Sequence, residues 1–415
     1  MKSNEKINYS TKPIIKITID NQNDLGFAPW GDGLAEWTPI RSLYTHRPGI
    51  ETSLASLDYN TNLFHDVFDL EKAQNQHDEF TSTLASENIK VISSYDLTKY
   101  INSEDLAPFI TFDESFTKDQ KSKLIDSYIS HNKQLDLLLT KPSIKRISAN
   151  NQDIINQFSI NNPLGNFLYA RDPIFQTGEK RFHLSNLKFN VRKQEANIME
   201  LLFNKLNLHS NISISIDKFN QQVDTIEGGE VVPAGDTIII GVESHRTNLN
   251  SVYELMKTNS IGHSNVVLVI SPVKTQEEMH IDTWFNIIDE DLYIGSQRFF
   301  DNPIDILYYE RNENGYYSLN KEISDFKTLL ENKLKMKKIS INDKQQKDLM
   351  SNGLTISPKK YIMIGGKPTS QGFKKSLEKH GVEVISVELD ELTEGHGGAH
   401  CMTQPIQRDL DSNYI

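Results

Sequence analysis

The sequence predicts an α/β protein, in which short buried strands alternate with helices. Runs such as DTIIIGV, SNVVLVISPV, KYIMIGG and VEVISVEL are rich in β-branched residues and end at Gly, Asn or Pro, which is typical of buried strands. Segments with helical spacing, such as EANIMELLFNKLN and SDFKTLLENKLKM, lie between them. A helix end, a turn and a strand recur at 84–93 and 377–386, and less closely at 201–216. This recurrence favours one domain that is built from repeated modules.

The interval from about residue 96 to 160 interrupts this alternation. It contains acidic helix starts, apolar residues at helical spacing and no strong strand signal. We therefore predict that this interval is a helical insertion within the α/β domain.

Composition limits the classes of protein to which the chain can belong. The chain has 415 residues, one cysteine and a formal net charge of −12. A single cysteine excludes a disulfide framework, which fits a reducing, cytoplasmic compartment. The N-terminal segment lacks the apolar core of a signal peptide, and no later segment has the length and hydropathy of a membrane span. Because phosphate binding needs basic patches, the acidic charge disfavours nucleic acid as a partner, and we expect a soluble cytoplasmic protein.

The lone cysteine, Cys401, lies in the glycine-rich stretch EGHGGAHC near the C-terminus. A nucleophilic thiol at neutral pH needs a lowered pKa, an open approach and a nearby acid or base. A buried structural cysteine is the more common alternative for a cysteine taken at random. Cys401 is thus a candidate nucleophile whose role depends on residues elsewhere in the chain.

Three further stretches carry polar residues that suit such chemistry. LYARDPIF contains Asp172 after an apolar run, and IEGGEVV contains Glu227 before two glycines that permit close contacts. MHIDTWFNIID places His280 and Asp282 on the same side of an extended segment, where an acid or base would lie beside a cation-binding group. Taken singly, each stretch also fits an ordinary turn or strand end.

Taken together and in this order, these stretches resemble the arginine deiminases, of the guanidino-group-modifying superfamily. The series is NFLYARDP, EGGEVV, GVESHRTN, HIDTWFNIID and GGAHCMTQPIQRD, and the earlier LYTHRPGIE and NLFHDVFDLEKAQNQHDEF also match. The resemblance begins at about residue 38, which leaves residues 1–37 as an N-terminal extension and 38–415 as the catalytic domain. The fold that it implies is a pseudo-fivefold α/β propeller of ββαβ modules with a helical insertion.

The resemblance implies hydrolysis of free L-arginine to L-citrulline and ammonia through a covalent amidino-cysteine, without a cofactor or metal. Cys401 matches the nucleophile that attacks the guanidinium carbon. Asp172 and Asp282 match the two aspartates that accept its N–H groups in charge-assisted hydrogen bonds. His280 would protonate the departing ammonia and then activate water, and Glu227 would orient His280.

The resemblance also implies how the far end of the substrate is bound. Asn166, Arg192 and Arg246 match the positions that bind the α-carboxylate, although without this context both arginines would be ordinary surface residues. Finding all three favours free L-arginine over agmatine, which lacks the carboxylate, and over peptidyl arginine. His396 stands where the family commonly has an arginine that helps close the pocket, so the gating of this site is expected to differ.

Other functions remain open at the level of sequence. An arginine dihydrolase, which yields ornithine and two ammonia molecules, or an amidinotransferase would use the same intermediate. A metal hydrolase could use His280, Asp282, His396 or His400 as ligands. A non-enzymatic arginine sensor with a degenerate pocket is a further alternative. The sequence does not fix the oligomeric state, and a homo-oligomer is compatible with it.

Overall fold

The fold consists of strands and helices that alternate along most of the chain. The computed structural model describes residues 13–19, 33–150, 153–160, 162–217 and 225–411. In these residues the strands are β1 (Lys16–Thr18), β2 (Ile40–Thr45), β3 (Lys90–Ser93), β4 (Thr111–Phe112), β5 (Ser143–Asn150), β6 (Asp153–Ser159), β7 (Ile174–Gly178), β8 (Arg181–Leu184), β9 (Ser215–Asp217), β10 (Val231–Ala234), β11 (Thr237–Val242), β12 (Asn265–Ile270), β13 (Phe285–Asp289), β14 (Leu292–Ser296), β15 (Ile306–Asn312), β16 (Tyr316–Asn320), β17 (Lys337–Ile341), β18 (Leu354–Ser357), β19 (Lys360–Gly365), β20 (Glu383–Glu388) and β21 (Thr403–Arg408). The helices are α1 (Ile50–Ser56), α2 (Leu70–Ser86), α3 (Ser94–Thr98), α4 (Ser103–Leu106), α5 (Lys118–Ser130), α6 (Gln134–Thr140), α7 (Gln194–His209), α8 (Leu249–Lys257), α9 (Gln297–Phe300), α10 (Phe326–Thr328, continued by a π-helical turn over Leu329–Lys333), α11 (Asp343–Lys347) and α12 (Ser370–Lys379).

Five sheets share one three-strand arrangement, which we call a unit. In each unit a first strand runs antiparallel to a central strand, and the central strand pairs in parallel with a third strand that follows a helix. In this order of strands the units are β21–β2–β3, β7–β8–β9, β10–β11–β12, β13–β14–β17 and β18–β19–β20. Parallel pairing requires a crossover connection, and helical segments supply it in every unit. The predicted α/β class is confirmed.

The recurring sequence pattern corresponds to equivalent places in three of these units. The stretches at 84–93, 377–386 and 201–216 are the connections from α2 to β3, from α12 to β20 and from α7 to β9. The first unit is completed from the far end of the chain, because β21 pairs with β2 in a register that joins Thr45 to Thr403. This pairing brings the segment that carries Cys401 next to β2, near the other end of the chain.

The interval from 96 to 160 is only partly helical, so this part of the prediction was wrong. Helices occupy it as far as Thr140, but its last part is a hairpin in which β5 and β6 pair antiparallel beside β4. β-Branched residues favour extended backbone, and isoleucines occupy positions 144, 147, 154 and 155 of this hairpin. Asn150, a residue type that favours turns, ends β5.

The described parts of the N-terminal extension pack against the domain. β1 pairs antiparallel with β16 and forms the edge of the sheet that contains β10–β12. Ile17 and Ile19 are buried in the same apolar cluster as residues of β11 and α8. Glu36 is also buried, where it binds Arg171 and Arg408. The domain therefore includes segments that precede residue 38.

The apolar cores lie between the sheets and the helices of the units. Four clusters of buried side chains fill these spaces, and one of them includes Cys401 together with residues of β18–β20 and α12. In the part of the chain that the structure describes, no helix is both long and apolar enough to cross a bilayer.

Candidate active site

Five of the predicted site residues meet where the first strands of four units begin. Asp172 lies two residues before β7, and Glu227 is followed by a 3₁₀ turn that leads into β10. His280 and Asp282 flank the start of the turn before β13, and Cys401 lies two residues before β21. All five side chains are buried, which places charged and nucleophilic groups together away from water.

Cys401 contacts one of the aspartates directly. Its Sγ lies 3.3 Å from Asp282 Oδ2, and its backbone N–H donates to Asn352 Oδ1 at 3.2 Å. Burial raises the pKa of the thiol well above its usual value, and the negative charges of Asp282 and Asp172 raise it further. In this state the sulfur is a neutral thiol, and forming the thiolate requires a positive charge nearby.

His280 lies between two carboxylates. Its Nε2 is 2.9 Å from Glu227 Oε2, and its Nδ1 is 3.6 Å from Asp172 Oδ1. Burial lowers the pKa of His280, but Asp172 and Glu227 outweigh burial and raise the pKa to about 9. His280 is therefore a cation at neutral pH and can donate a proton to a leaving group.

The two aspartates each hold one carboxylate oxygen without a hydrogen-bond partner. Asp172 Oδ2 accepts from Arg192 Nη1 at 2.7 Å, and Asp282 Oδ2 accepts from His400 Nδ1 at 2.8 Å. The Oδ1 atom of each aspartate is buried and accepts no hydrogen bond from the described residues. A buried acceptor without a donor is unfavourable, so these two atoms suit a ligand that carries N–H groups and a positive charge.

The two predicted arginines lie in the site and are both paired with carboxylates. Arg192 binds Asp172 and also Glu195, to which its Nη2 donates at 2.7 Å. Arg246 donates from Nη1 to Glu227 at 3.0 Å and from Nη2 to Gln276 at 3.0 Å, while its buried Nε has no partner among the described residues. Neither arginine is the surface residue that the sequence alone would suggest.

A small cavity lies beside Asp172, His280 and Cys401, and Arg192 and Arg246 also line it. Its volume is about 10 Å³, which is room for about one water molecule. A second cavity of about 280 Å³ is lined by His65, Glu277 and Glu394. His396 lines both cavities, and its backbone is left-handed with φ 67°. An arginine molecule cannot fit in the inner cavity, so the site is closed in this structure.

A comparison with models of protein families shows the family to which this chain belongs. The model of the arginine deiminase family matches residues 61–408, which is most of the chain. The chain belongs to the arginine deiminase family. The resemblance that the motifs indicated is thereby confirmed.

Known proteins of this family align with nearly the whole chain. Arginine deiminase of Oenococcus oeni is 23% identical over 400 residues, covering 89% of this chain and 95% of its own length. That of Streptococcus gordonii is 26% identical over 411 residues, covering 89% of this chain and 96% of its own length. The solved structure of a mutant DDAH from Pseudomonas aeruginosa with citrulline is 13% identical, with a TM-score of 0.53 over 88% of this chain and 98% of that one. At this identity the structural match shows a shared fold alone.

The geometry of this family member bears on the metal alternative. In the described residues, one group of possible ligands lies within 4.8 Å, and it comprises Asp172, Glu227 and His280 rather than the set that the sequence suggested. Both of its carboxylates already bind buried arginines. A divalent ion would therefore have to compete with two guanidinium groups at this position.

The double glycine that follows Glu227 permits close packing in the site. A Cβ atom on Gly228 would collide with the carbonyl oxygen of Arg171, and one on Gly229 would lie 2.5 Å from His280 Nδ1. Two glycines shortly before Cys401 also permit close packing, because Gly395 and Gly397 pack against the ring of Tyr169. Gly229 thus allows the backbone to approach His280, and Gly397 allows it to approach Cys401, whose Cβ would lie 2.9 Å from an added Cβ.

Replacing Gly229 with alanine is expected to displace His280 and lower kcat by about 10- to 100-fold, because small shifts of catalytic groups are costly. Steady-state kinetics with L-arginine, together with the melting temperature, would measure the effect. Gly372→Ala in α12 is the matched control, since the added Cβ has no described atom within 4 Å beyond its chain neighbours and its own helix backbone. Unchanged kcat in a folded Gly229→Ala variant would contradict the tight packing.

Sequence reasoning missed several residues that support the site. His400 was named only as a metal ligand, yet its imidazole bonds to Asp282 and lies 3.7 Å from Glu36 Oε1. Glu195 and Asn352 were not predicted at all, because a buried glutamate in a helix and an asparagine in a turn are common in any fold. For His400 the signal was its place directly before Cys401.

Proposed function

We propose that the protein is an arginine deiminase, which hydrolyses free L-arginine to L-citrulline and ammonia through a covalent amidino-cysteine. The observation that carries this proposal is the pair of buried oxygens on Asp172 and Asp282 that accept no hydrogen bond from the described residues, with Asp282 in contact with the Cys401 thiol. Their charge and geometry suit a guanidinium, which has a fork of N–H donors. Membership of the family supports a hydrolase of amidino groups.

Substrate binding would activate the nucleophile. The guanidinium brings a positive charge next to the thiol, which offsets the carboxylates that hold the pKa of Cys401 high. The S–H group lies beside Asp282 Oδ2, which is the acceptor in position to take its proton. The sulfur then attacks the guanidinium carbon, and the two aspartates hold the carbon in line with it.

His280 would transfer protons in both halves of the reaction. Its raised pKa of about 9 means that it starts as a cation and can protonate the departing nitrogen, which leaves as ammonia. The neutral imidazole then takes a proton from water, and the resulting hydroxide attacks the amidino carbon. Citrulline forms as the carbon–sulfur bond breaks, the sulfur regains the proton that Asp282 took, and the hydroxyl proton of the adduct leaves to solvent, where it converts ammonia to ammonium. Glu227 keeps the imidazole oriented throughout.

The α-carboxylate of arginine would bind at the other end of the site. Arg246 is the better placed of the two arginines, because its Nε has no partner among the described residues. Arg192 must exchange one of its carboxylate partners before it can take part, and Asn166 donates its amide to the carbonyl of Asn62. His396 lines both cavities, so we propose that its movement opens the site to the substrate.

Arg246→Gln is expected to lower kcat/KM for L-arginine much more than for agmatine, which lacks a carboxylate. Losing the partner of Glu227 affects both substrates equally, so the ratio of the two values isolates the carboxylate contact. A buried charge-assisted contact is worth about 1.5–3 kcal/mol, which corresponds to a fall of roughly 10- to 100-fold in the ratio. An unchanged ratio would remove this role from Arg246.

The fold supports a finer description of the architecture. Five units with the same strand pattern each have the start of their first strand near the site. We propose that they surround a central axis as a pseudo-fivefold α/β propeller, with helices α3–α6 and the β5–β6 hairpin as its insertion.

The decisive experiment is a product assay with L-arginine. The protein should release citrulline and ammonia in equal amounts, without added metal. Ornithine with a second ammonia would indicate a dihydrolase, and amidino transfer only in the presence of an added amine would indicate a transferase. Loss of activity in a chelator, restored by a divalent ion, would favour a metal hydrolase. Binding of arginine without any product would indicate a sensor.

A further inference from the structure

Asn352 occupies in the fifth unit the position that Cys401 and Asp172 occupy in their own units. The position is two residues before the first strand, and its occupants are Cys401, Asp172, Gly229, Thr283 and Asn352. Gly229 contacts His280 closely, and Thr283 directly follows Asp282. No motif of the sequence pointed to Asn352, which lies in the plain turn sequence SNG before β18. The fold nevertheless places Asn352 beside the backbones of Cys401 and Asp282.

The amide of Asn352 joins the two segments that carry Cys401 and Asp282. Its Oδ1 accepts hydrogen bonds from the backbone N–H of Gly398 at 2.7 Å and of Cys401 at 3.2 Å. Its Nδ2 donates to the backbone carbonyl of Asp282 at 3.1 Å. Its own carbonyl accepts from the N–H of His400 at 3.0 Å. One buried residue thus binds both catalytic segments, which are 119 residues apart.

The turn that carries Asn352 is itself held firmly. Asn286 donates to the carbonyls of Ser351 and Gly353 at 2.7 and 2.9 Å, and Ser351 Oγ donates to the carbonyl of Thr283 at 2.8 Å. The hydroxyl of Tyr361 accepts from the N–H of Gly353 at 2.8 Å. A side chain that is anchored in this way can fix the position of the groups that it binds.

The contact between the thiol and Asp282 depends on this link. The distance of 3.3 Å from Cys401 Sγ to Asp282 Oδ2 is set by the relative position of the two segments. Only a side chain with both an acceptor and a donor can bind the N–H groups of one segment and the carbonyl of the other. An amide does this without adding a charge beside the nucleophile. Gly398 completes the fit, since a Cβ there would lie 2.7 Å from the carbonyl oxygen of Asn352.

We propose that Asn352 is a positioning residue, which holds the Cys401 thiol against Asp282 and adds no further negative charge beside the thiol. The proposal rests on the proposed deiminase function for its kinetic consequence. It extends that function by assigning a role to the unit that otherwise contributes no residue to the reaction.

Asn352→Asp and Asn352→Ser separate the two parts of this role. An ionised aspartate adds a negative charge and cannot donate to the Asp282 carbonyl, whereas a protonated aspartic acid has both an acceptor and a donor. We expect kcat of Asn352→Asp to fall about 100-fold at neutral pH with a smaller change in KM, and to recover partly as the pH is lowered. Asn352→Ser should lose kcat without this recovery.

The alkylation of Cys401 by iodoacetamide gives a readout that does not need turnover. Because Cys401 is the only cysteine, its rate against pH reports the thiol alone. Asn352→Asp should shift this profile to higher pH than the wild-type profile. Asn207→Asp is the matched control, because that amide also binds both backbone groups of one residue, Ile214, and should leave the alkylation profile and kcat unchanged.

Two results would overturn the proposal. One is a folded Asn352→Asp variant whose alkylation profile matches that of the wild type. The other is a fall in kcat that only follows the loss of folded protein, as measured by thermal melting in both variants and the control. If the wild-type protein does not convert arginine, the proposed function fails, but the alkylation profiles still test the position of the thiol.

Discussion

Cys401→Ser is expected to abolish hydrolysis of L-arginine, with a fall in kcat of about 10⁴-fold or more, as is typical when a covalent nucleophile is removed. The hydroxyl is a far weaker acid than the thiol, and the site already disfavours an anion at this position through burial and two aspartates. Citrulline release under saturating arginine measures the loss. The contacts proposed between Asp172, Asp282 and the guanidinium do not involve the sulfur, so arginine should still raise the melting temperature of the variant.

The covalent intermediate gives an independent check on this prediction. Acid quenching of the wild-type enzyme during turnover should trap a protein whose mass is increased by that of arginine less ammonia. The adduct should be absent in Cys401→Ser, and since the chain has one cysteine, it can form on no other thiol. Retention of more than about one per cent of the wild-type kcat by the serine variant would contradict the covalent mechanism.

The five side chains that meet in the candidate site could be named from the sequence because each lies in a distinctive local stretch. Glu227 precedes a double glycine, and His280 and Asp282 lie two residues apart. The structure shows how two of these patterns meet, since Gly229 has no room for a side chain beside His280. Asn352 could not be found in this way. Its role arises from hydrogen bonds to Cys401 and Asp282, and these partners are brought to it only by the fold.

The repeated units were only partly visible in the sequence for a similar reason. The β-branched strands and the helix–turn–strand recurrences are local, and they predicted the α/β class correctly. The partner of each strand is not local, as the pairing of β2 with β21 shows. The strands β15 and β16 leave the fourth unit and join the sheet of the third, which obscures the repeat. The β5–β6 hairpin was missed because its identity depends on pairing across a turn.

Glu227→Gln is expected to damage both stability and catalysis. Glu227 is fully buried and accepts from Arg246 at 3.0 Å, from His280 at 2.9 Å and from the N–H of Lys188 at 3.0 Å. Breaking a buried ion pair on one side costs about 3–5 kcal/mol, because it leaves an uncompensated charge. The kcat should fall by about 10²- to 10⁴-fold, because His280 loses the carboxylate that orients it and that keeps it protonated. Urea unfolding and steady-state kinetics measure the two effects.

The pH dependence of the stability loss distinguishes this pair from a general packing defect. Burial lowers the pKa of His280, but its two carboxylates raise it from 6.5 to about 9, so the stabilisation is complete below pH 6.5 and lost as the pH rises through 9. Burial raises the pKa of Glu227, but Arg246 and His280 lower it below 4.5, so its contribution is complete above that pH and lost in acid. The difference in the free energy of unfolding between wild type and variant should therefore be largest between about pH 4.5 and 6.5. It should shrink as the pH rises through about 9.

Glu51→Gln provides the matched control for Glu227→Gln. Glu51 is also buried, and its Oε1 lies 3.1 Å from His46 Nε2, yet the pair lies outside the reaction centre. The control should lose stability while the pH profile of kcat stays that of the wild type. Because both substitutions remove one buried carboxylate from one histidine, an equal loss of kcat in the two variants would mean that Glu227 acts only through stability. A loss of kcat confined to Glu227→Gln would instead mean that Glu227 sets the protonation of His280.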